Sequence, residues 1–392
     1  MGNWKTCTIA DLGMVVGGAT PSTKEAENYD GGTIAWITPK DLAGYSGRFI
    51  SHGERDITEI GLHSCSAQMM PRHSVLFSSR APIGYVAIAE NELCTNQGFK
   101  SVVPNEHTDY MFLYYLLLNN RQRIEHMGSG TTFKEVSGKT MRSIEVRVPE
   151  SKEEQIRISS ILSTIDDKIE ENERINKNLL QQMESLYKAW FTDFIPFGGS
   201  RPSDWRKSDI YSIADIIYGA PFSSKLFNTD GEGIPIIRIR DLRDQAFVTY
   251  TTENHPKGHL IQPGDIVVGM DGEFRPYIWG NTEAWLNQRV CIFNNKRPKG
   301  KAFVLFTIKP LLYRIEQTQV ATTVIHIGKK DYDAFELYLP DSNTLDQFDE
   351  LTSPMIDQIV VNRLENKRLA TLRDSLLPRL MSGELDVSDI DL

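Results

Sequence analysis

An apolar stripe at alternating spacings of four and three residues is the clearest pattern along the chain, and it occurs twice. Ile158, Leu162, Ile165, Ile169, Asn172, Asn176, Leu179, Met183, Leu186 and Trp190 follow this spacing, which is the seam of a long helix packed on another helix. Met355, Ile359, Asn362, Asn366, Leu369, Leu376 and Leu380 follow it again. Ser151, just after Pro149 and three residues before Glu154, predicts a capping box at the start of the first helix. Ser353 and Pro354 are the expected cap and first position of the second. Each stripe carries two asparagines at neighbouring seam positions. A buried amide costs stability unless its hydrogen bonds are met, so such residues fix register and orientation; the alternative is that they sit half-exposed in mid-helix.

Between the stripes the pattern changes to short runs and turns. Thr33–Leu42 and Gly233–Leu242 read as strands ending in a polar turn, Ser74–Phe77 and Asp265–Val268 as buried strands, and Tyr110–Ile124 as a helix. The class is mixed α/β (α+β).

The two halves of the chain are also related residue by residue. Asp167, Lys177, Ser185 and Leu186 recur 190 positions later as Asp357, Lys367, Ser375 and Leu376. Asn96-Gln97 match Asn287-Gln288 and Thr131-Thr132 match Thr322-Thr323 at an offset of 191, and Ile37, Asp41 and Leu42 match Ile237, Asp241 and Leu242 at 200. The order is therefore globular unit, long helix, globular unit, long helix, a pseudo-two-fold repeat. The boundaries read as 1–150, 151–195, 196–341 and 342–392. About 38 helical residues span roughly 57 Å, whereas a unit of about 140 residues has a radius of gyration near 14 Å. So small a unit does not return the chain along the whole helix, which makes antiparallel helices the expectation. The units would then lie at opposite ends of a rod.

At 392 residues the chain is long enough for two or three cores. No run approaches eighteen apolar residues and the start lacks a leader pattern, so a membrane location is not expected and the cytoplasm is the default. Cys7, Cys65, Cys94 and Cys291 are scattered without metal-ligand or CxxC spacing, which suits a reducing compartment. The net charge of −9 at first argues against nucleic acid, but residues 1–150 and 201–340 together carry as many basic as acidic side chains. The excess negative charge belongs to the helices and tail, leaving each globular unit able to present a basic face.

Catalytic signatures are weak. Gly128-Ser129-Gly130 and Gly138-Lys139-Thr140 are too far apart for a phosphate loop. His255 and His259 are separated by Pro256 and Gly258, which break the helix that their spacing as metal ligands requires. An Asn/Asp-Pro-Pro-aromatic motif and a Gly-rich cofactor loop, expected of an amino-methyltransferase, are missing from the sequence.

Four strings, PRHSVLFSSRAPIG (Pro71–Gly84), SLYKAWFTDF (Ser185–Phe194), DIVVGMDGEF (Asp265–Phe274) and SLLPRLMSGELDV (Ser375–Val387), carry in this order a family likeness over essentially the whole chain. The sequence resembles the specificity subunit of type I restriction-modification systems. That resemblance implies two target-recognition domains, each reading one half of a gapped double-stranded DNA site, joined by spacer helices on which two methylation subunits dock. It implies no catalysis by this chain. S-adenosylmethionine would belong to the methylation subunits, which modify adenine N6, and motor-nuclease subunits would complete the enzyme. A recognition chain serving one fused cleavage-methylation partner, and a coiled-coil protein scaffold, remain open beside it.

Candidate DNA contacts in the first unit are Thr38, Lys40, Ser79, Arg80, Asn96, Gln97, Lys100, Thr131, Lys134 and Lys139, and in the second Arg238, Arg240, Asp271, Arg275, Asn287, Gln288, Arg289, Lys329 and Lys330. Arginine grips guanine bidentately, Asn or Gln grips adenine, and Lys mostly meets phosphate. Residues shared by both units cannot explain two different readings, so sequence reading is expected where the units differ, as at Ser78-Ser79-Arg80 against Gly269-Met270-Asp271. Tyr187, Trp190, Phe191, Phe194, Ile356, Val360 and Leu364 form apolar surface beyond the seam. They are expected to dock methylation subunits or else to pack on the globular units.

Overall fold

The computed structural model describes residues 3–80, 82–129, 134–272, 274–318 and 326–387. The chain folds into two compact units, one made of residues 1–170 with 369–392 and the other of 171–368. Each contains one globular part and half of each long helix.

In the first unit, β1 (Trp4–Thr8), α1 (Ile9–Leu12), β2 (Gly13–Gly17), β3 (Trp36–Ile37), β4 (Phe49–Ile50), α2 (Glu59–His63), β5 (Val75–Phe77), β6 (Val86–Ala89), β7 (Cys94–Thr95), β8 (Lys100–Pro104), α3 (Tyr110–His126), α4 (Gly138–Arg142) and β9 (Glu145–Pro149) precede the long α5 (Lys152–Phe191). A five-stranded sheet of order β2-β8-β5-β6-β4 is antiparallel except at β6-β4, β3 pairs with β7 in parallel, and β1 pairs with β9. The α3 sequence buries Phe112, Leu113, Leu116 and Leu117, and Asp109 caps it by accepting from the Phe112 amide.

The second unit repeats this plan with β10 (Arg206–Asp209), β11 (Ala214–Tyr218), β12 (Phe227–Asn228), β13 (Ile234–Ile237), β14 (Tyr250–Thr251), β15 (Leu260–Ile261), β16 (Ile266–Gly269), β17 (Pro276–Ile278), β18 (Ala284–Leu286), β19 (Val290–Asn295), α6 (Lys301–Thr318), α7 (Lys329–Asp333), β20 (Glu336–Leu339) and α8 (Ser342–Ser382). Its sheet order β11-β19-β16-β17 matches β2-β8-β5-β6, its parallel pair β13-β18 matches β3-β7, and β10-β20 matches β1-β9.

The Ser151 hydroxyl accepts from the Glu154 amide at the head of α5, as the sequence predicts. The expected cap at Ser353-Pro354 is a correction: α8 begins at Ser342, and Asp341 caps it by accepting from the Thr344 amide. Pro354 lies inside the helix on an exposed face. Leu345 and Phe348, buried in the core of the second unit, hold the preceding turns helical and offset the bond that proline removes.

The helices pair antiparallel within each unit. In the second, Asn172 Nδ2 donates to Asn366 Oδ1 at 2.8 Å and to Glu365 Oε2 at 2.7 Å, while Asn362 Nδ2 donates to Asn176 Oδ1 at 2.9 Å. Asn172, Asn176 and Asn362 are buried, and the Nδ2 groups of Asn172 and Asn362 are bonded across the interface rather than left in mid-helix water, while Asn172 Oδ1 is buried without a hydrogen-bond partner among the described residues. In the first unit Arg373 donates to Asp166 at 2.7 Å, and Tyr115 of α3 donates to the same carboxylate at 2.6 Å. The buried Arg48 guanidinium, in the turn before β4, grips Glu170 through Nε at 2.8 Å and through Nη2 at 3.0 Å, and also reaches Asp167. Burial alone would weaken the Arg48 charge, but the two carboxylates outweigh it and hold the guanidinium firmly protonated. In the second unit Arg297 ties the turn before α6 to Asp349 of α8 at 2.8 Å.

Candidate nucleic-acid interface

Residues far apart in sequence meet around one turn in the first unit. Residues 95–98 accept the Ala19 amide on the Thr95 carbonyl at 3.0 Å, donate the Asn96 amide to the Ile37 carbonyl at 2.9 Å, and accept the Ser79 amide on the Gly98 carbonyl at 2.7 Å. The Ser79 carbonyl in turn accepts from the Val136 amide at 2.9 Å. Thr38, Ser79, Arg80, Asn96, Gln97 and Lys100 are thereby gathered with Glu135, which pairs with Lys100 at 3.4 Å.

The second unit builds the same hub. The Ala220 amide donates to the Leu286 carbonyl at 3.1 Å, Asn287 to Ile237 at 3.3 Å, Met270 to Arg289 at 2.9 Å and Ile327 to Met270 at 2.9 Å. The last three stand at offsets of 191 or 200 from their counterparts, so Arg238, Asp271, Asn287, Gln288 and Arg289 are brought together on the same frame.

Several candidates are engaged in that frame. The Thr38 amide and hydroxyl both donate to Asp41 Oδ2 at 2.7 Å, and the Arg238 amide donates to Asp241 in the equivalent turn. Ser79 is fully buried and its hydroxyl donates to the Gly98 carbonyl. Asn96 Oδ1 accepts the Gly98 amide at 2.8 Å, and Asn287 Oδ1 accepts the Gln288 amide at 2.8 Å. The matched asparagines therefore shape the turn. Gln97 is bonded to Thr20, a neighbour that the sequence pattern gave no means of finding.

Among the cations, Lys40 is exposed and paired to Glu54, whose hydrogen bond raises its pKa above the ordinary lysine value. Arg238 is bonded to Thr249 and lies over the Phe227 ring. Arg240 is exposed beside the buried Asp241 carboxyl, whose pKa burial pushes up. Arg275 grips Glu316 of α6 through both terminal nitrogens. Lys134, Lys139 and Lys330 are exposed, and Lys329 pairs with Asp333 one helical turn on. Thr131, with the Thr131-Thr132 and Thr322-Thr323 match, lies outside the described residues.

The aromatic residues at the end of α5 pack against the second unit's own core and stay half-buried there. Tyr187, Trp190 and Phe191 pack against Phe303 and Phe348, and Phe194 meets Trp205. The Tyr187 hydroxyl lies 3.0 Å from that of Thr307. Ile356 is buried and Val360 packs on the same core, leaving Leu364 half-buried outside it. Ile356 thus has no surface to offer a partner.

Among the described residues no group of His, Cys, Asp and Glu side chains could hold a metal ion, and no helix is long and apolar enough to cross a membrane. The Cys94 and Cys291 thiols are pushed up to about 12 by burial, which leaves them unsuited to nucleophilic chemistry.

One polar frame, built twice under different side chains, with each unit holding half of both long helices, defines an internally duplicated recognition protein. The family model described as type I restriction modification DNA specificity domain matches residues 1–181 and 202–372, and the chain belongs to that family. It is 32% identical over 411 aligned residues to the type I restriction enzyme MjaIX specificity subunit of Methanocaldococcus jannaschii, with 99% of this chain and 95% of that one covered. It is 22% identical to the HindI specificity subunit of Haemophilus influenzae, covering 70% and 77%. A crystal structure of the type I restriction-modification S subunit from M. genitalium shares the fold with a TM-score of 0.59 at 16% identity, covering 97% and 96%.

Proposed function

We propose that this chain is the DNA-reading specificity subunit of a type I restriction-modification enzyme, each unit recognising one half of a bipartite, gapped duplex site. The observation that carries this reading is the recurrence of one hydrogen-bonded hub under side chains that differ. A shared frame positions the protein on phosphates while the variable side chains discriminate bases. The excess of acidic side chains on α5, α8 and the tail disfavours phosphate contact there and leaves DNA to the globular units. The helices set the spacing between half-sites and dock two methylation subunits, which hold S-adenosylmethionine and methylate adenine. Motor-nuclease subunits complete the restriction enzyme. This chain contributes recognition and no catalysis.

Gel-shift of the purified chain with its methylation subunits on duplex DNA tests the reading. Log affinity should fall linearly with log salt at a slope of about −0.9 per phosphate neutralised. Affinity unchanged between about 50 and 200 mM salt would refute it.

A further inference from the structure

The two hubs carry different side chains at three equivalent positions around the same turn. In the first unit they hold Arg80, Gly98 and Glu135; in the second, at an offset of 191, they hold Asp271, Arg289 and His326. The backbone is the same at each: Arg80 bridges Glu135, and Asp271 bridges His326, as isolated antiparallel pairs. The side chains are rearranged, with the arginine moved from one edge of the hub to the other.

In the second unit these side chains form a connected set. His326 Nδ1 lies 2.6 Å from Asp271 Oδ1 and 3.1 Å from the Met270 carbonyl. Arg289 Nε lies 3.6 Å from Asp271 Oδ2, and its Nη1 rests 3.1 Å from the His326 ring. Asp271 is 27% exposed, whereas His326 and Arg289 are 46% and 52% exposed. The carboxylate is thus the recessed member, with the imidazole and guanidinium outside it. A half-exposed guanidinium held beside a carboxylate by an ion pair loses less conformational freedom on binding than a free one, and its two terminal nitrogens form an N–H edge. That edge matches the O6 and N7 acceptors of guanine.

We propose that Arg289 reads a guanine in the half-site of the second unit, with Asp271 and His326 as positioning residues that aim it. The first unit has Gly98 at the equivalent position and cannot make this contact there. The inference rests on the DNA-reading function proposed above and names the residue that discriminates.

Adenine-methylation sequencing of DNA from cells expressing the chain with its methylation subunits tests it. Arg289→Ala and Arg289→Lys should each relax one G·C position in one half-site and leave the other half unchanged. Discrimination there should fall by roughly 5- to 150-fold, the factor equivalent to about 1–3 kcal/mol. Asp271→Asn and His326→Gln should relax that same position although Arg289 is intact, an effect that a merely structural role would not confine to one base pair. Methylation lowered uniformly with the motif unchanged would make Arg289 a phosphate contact and overturn this proposal, leaving the DNA-reading function standing. A wild-type chain that directs methylation to no bipartite site would overturn both.

Discussion

Replacing Arg48 by methionine removes the charge that fastens the first globular part to α5 while keeping most of the side chain's apolar bulk. The Arg48 side chain is 5% exposed, but its partners Glu170 and Asp167 are 36% and 66% exposed. Removing one member of a fully buried pair costs about 3–5 kcal/mol, and an exposed pair is worth about 0–1 kcal/mol. Glu170 regains water on one side when Arg48 is lost, so solvent screening places the expected cost between these limits, at about 2–3 kcal/mol. The sign of the pH dependence follows from Glu170. Burial would raise its pKa, but hydrogen bonding and charge from Arg48 outweigh that and hold it below the ordinary carboxylate value. A depressed folded-state value contributes stability that is present above the unfolded pKa of about 4.3 and is lost as pH falls through the folded value. Hydrogen exchange over α3 at pH 7 and pH 3.5 reads the difference. The variant should lose about 2–3 kcal/mol of protection at pH 7 and markedly less at pH 3.5. An equal loss at both would show that only packing of the arginine stem matters and that the ion pair contributes nothing.

Two other substitutions probe the helices. Asn176→Leu or Asn362→Leu alone leaves the partner amide short of a hydrogen bond and should cost about 1–3 kcal/mol, whereas the double variant should cost about 1–2 kcal/mol less than the sum, measured by urea denaturation. Additive costs would show that the two amides do not depend on each other. Adding one heptad to both α5 and α8 in register lengthens each by about 10 Å, close to three base pairs at roughly 3.4 Å each. The methylated site should then change to a longer spacer with the same half-sequences, and retention of the original spacing by a folded variant would show that the helices are not the ruler. Arg275→Ala should lower stability through Glu316 without altering the motif, read by thermal melting together with methylation sequencing; an altered motif would place Arg275 among the base contacts.

What was legible in the sequence was periodic or repeated. The seam of α5, its cap at Ser151, the paired asparagines and α3 all follow from spacing, because each buries one face of a regular helix. The start of α8 was hidden because Pro354 imitates a first helical position, while the packing that keeps the preceding turns helical comes from Leu345 and Phe348 meeting a core assembled from distant segments. Helix α6 left no clear pattern for a related reason: Pro310 follows a run, Ala302 to Ile308, that is buried nearly all round and so shows no amphipathic period. The Arg48 clasp joins positions more than a hundred residues apart and leaves no local trace. At the hub, the repeat pointed to the frame, but the asparagines it singled out hold the turn. His326 stands where the units diverge and has no spacing or motif in the sequence that marks it.

The most direct test of two independent readers is an exchange of one of them. Residues 1–150 are replaced by the corresponding stretch of a relative with a different specificity, and adenine methylation is sequenced in cells supplying the methylation subunits. The account predicts a bipartite motif in which one half-sequence changes to that of the donor while the other half and the spacer stay as they were. A change in both halves, or a single uninterrupted motif, would contradict it.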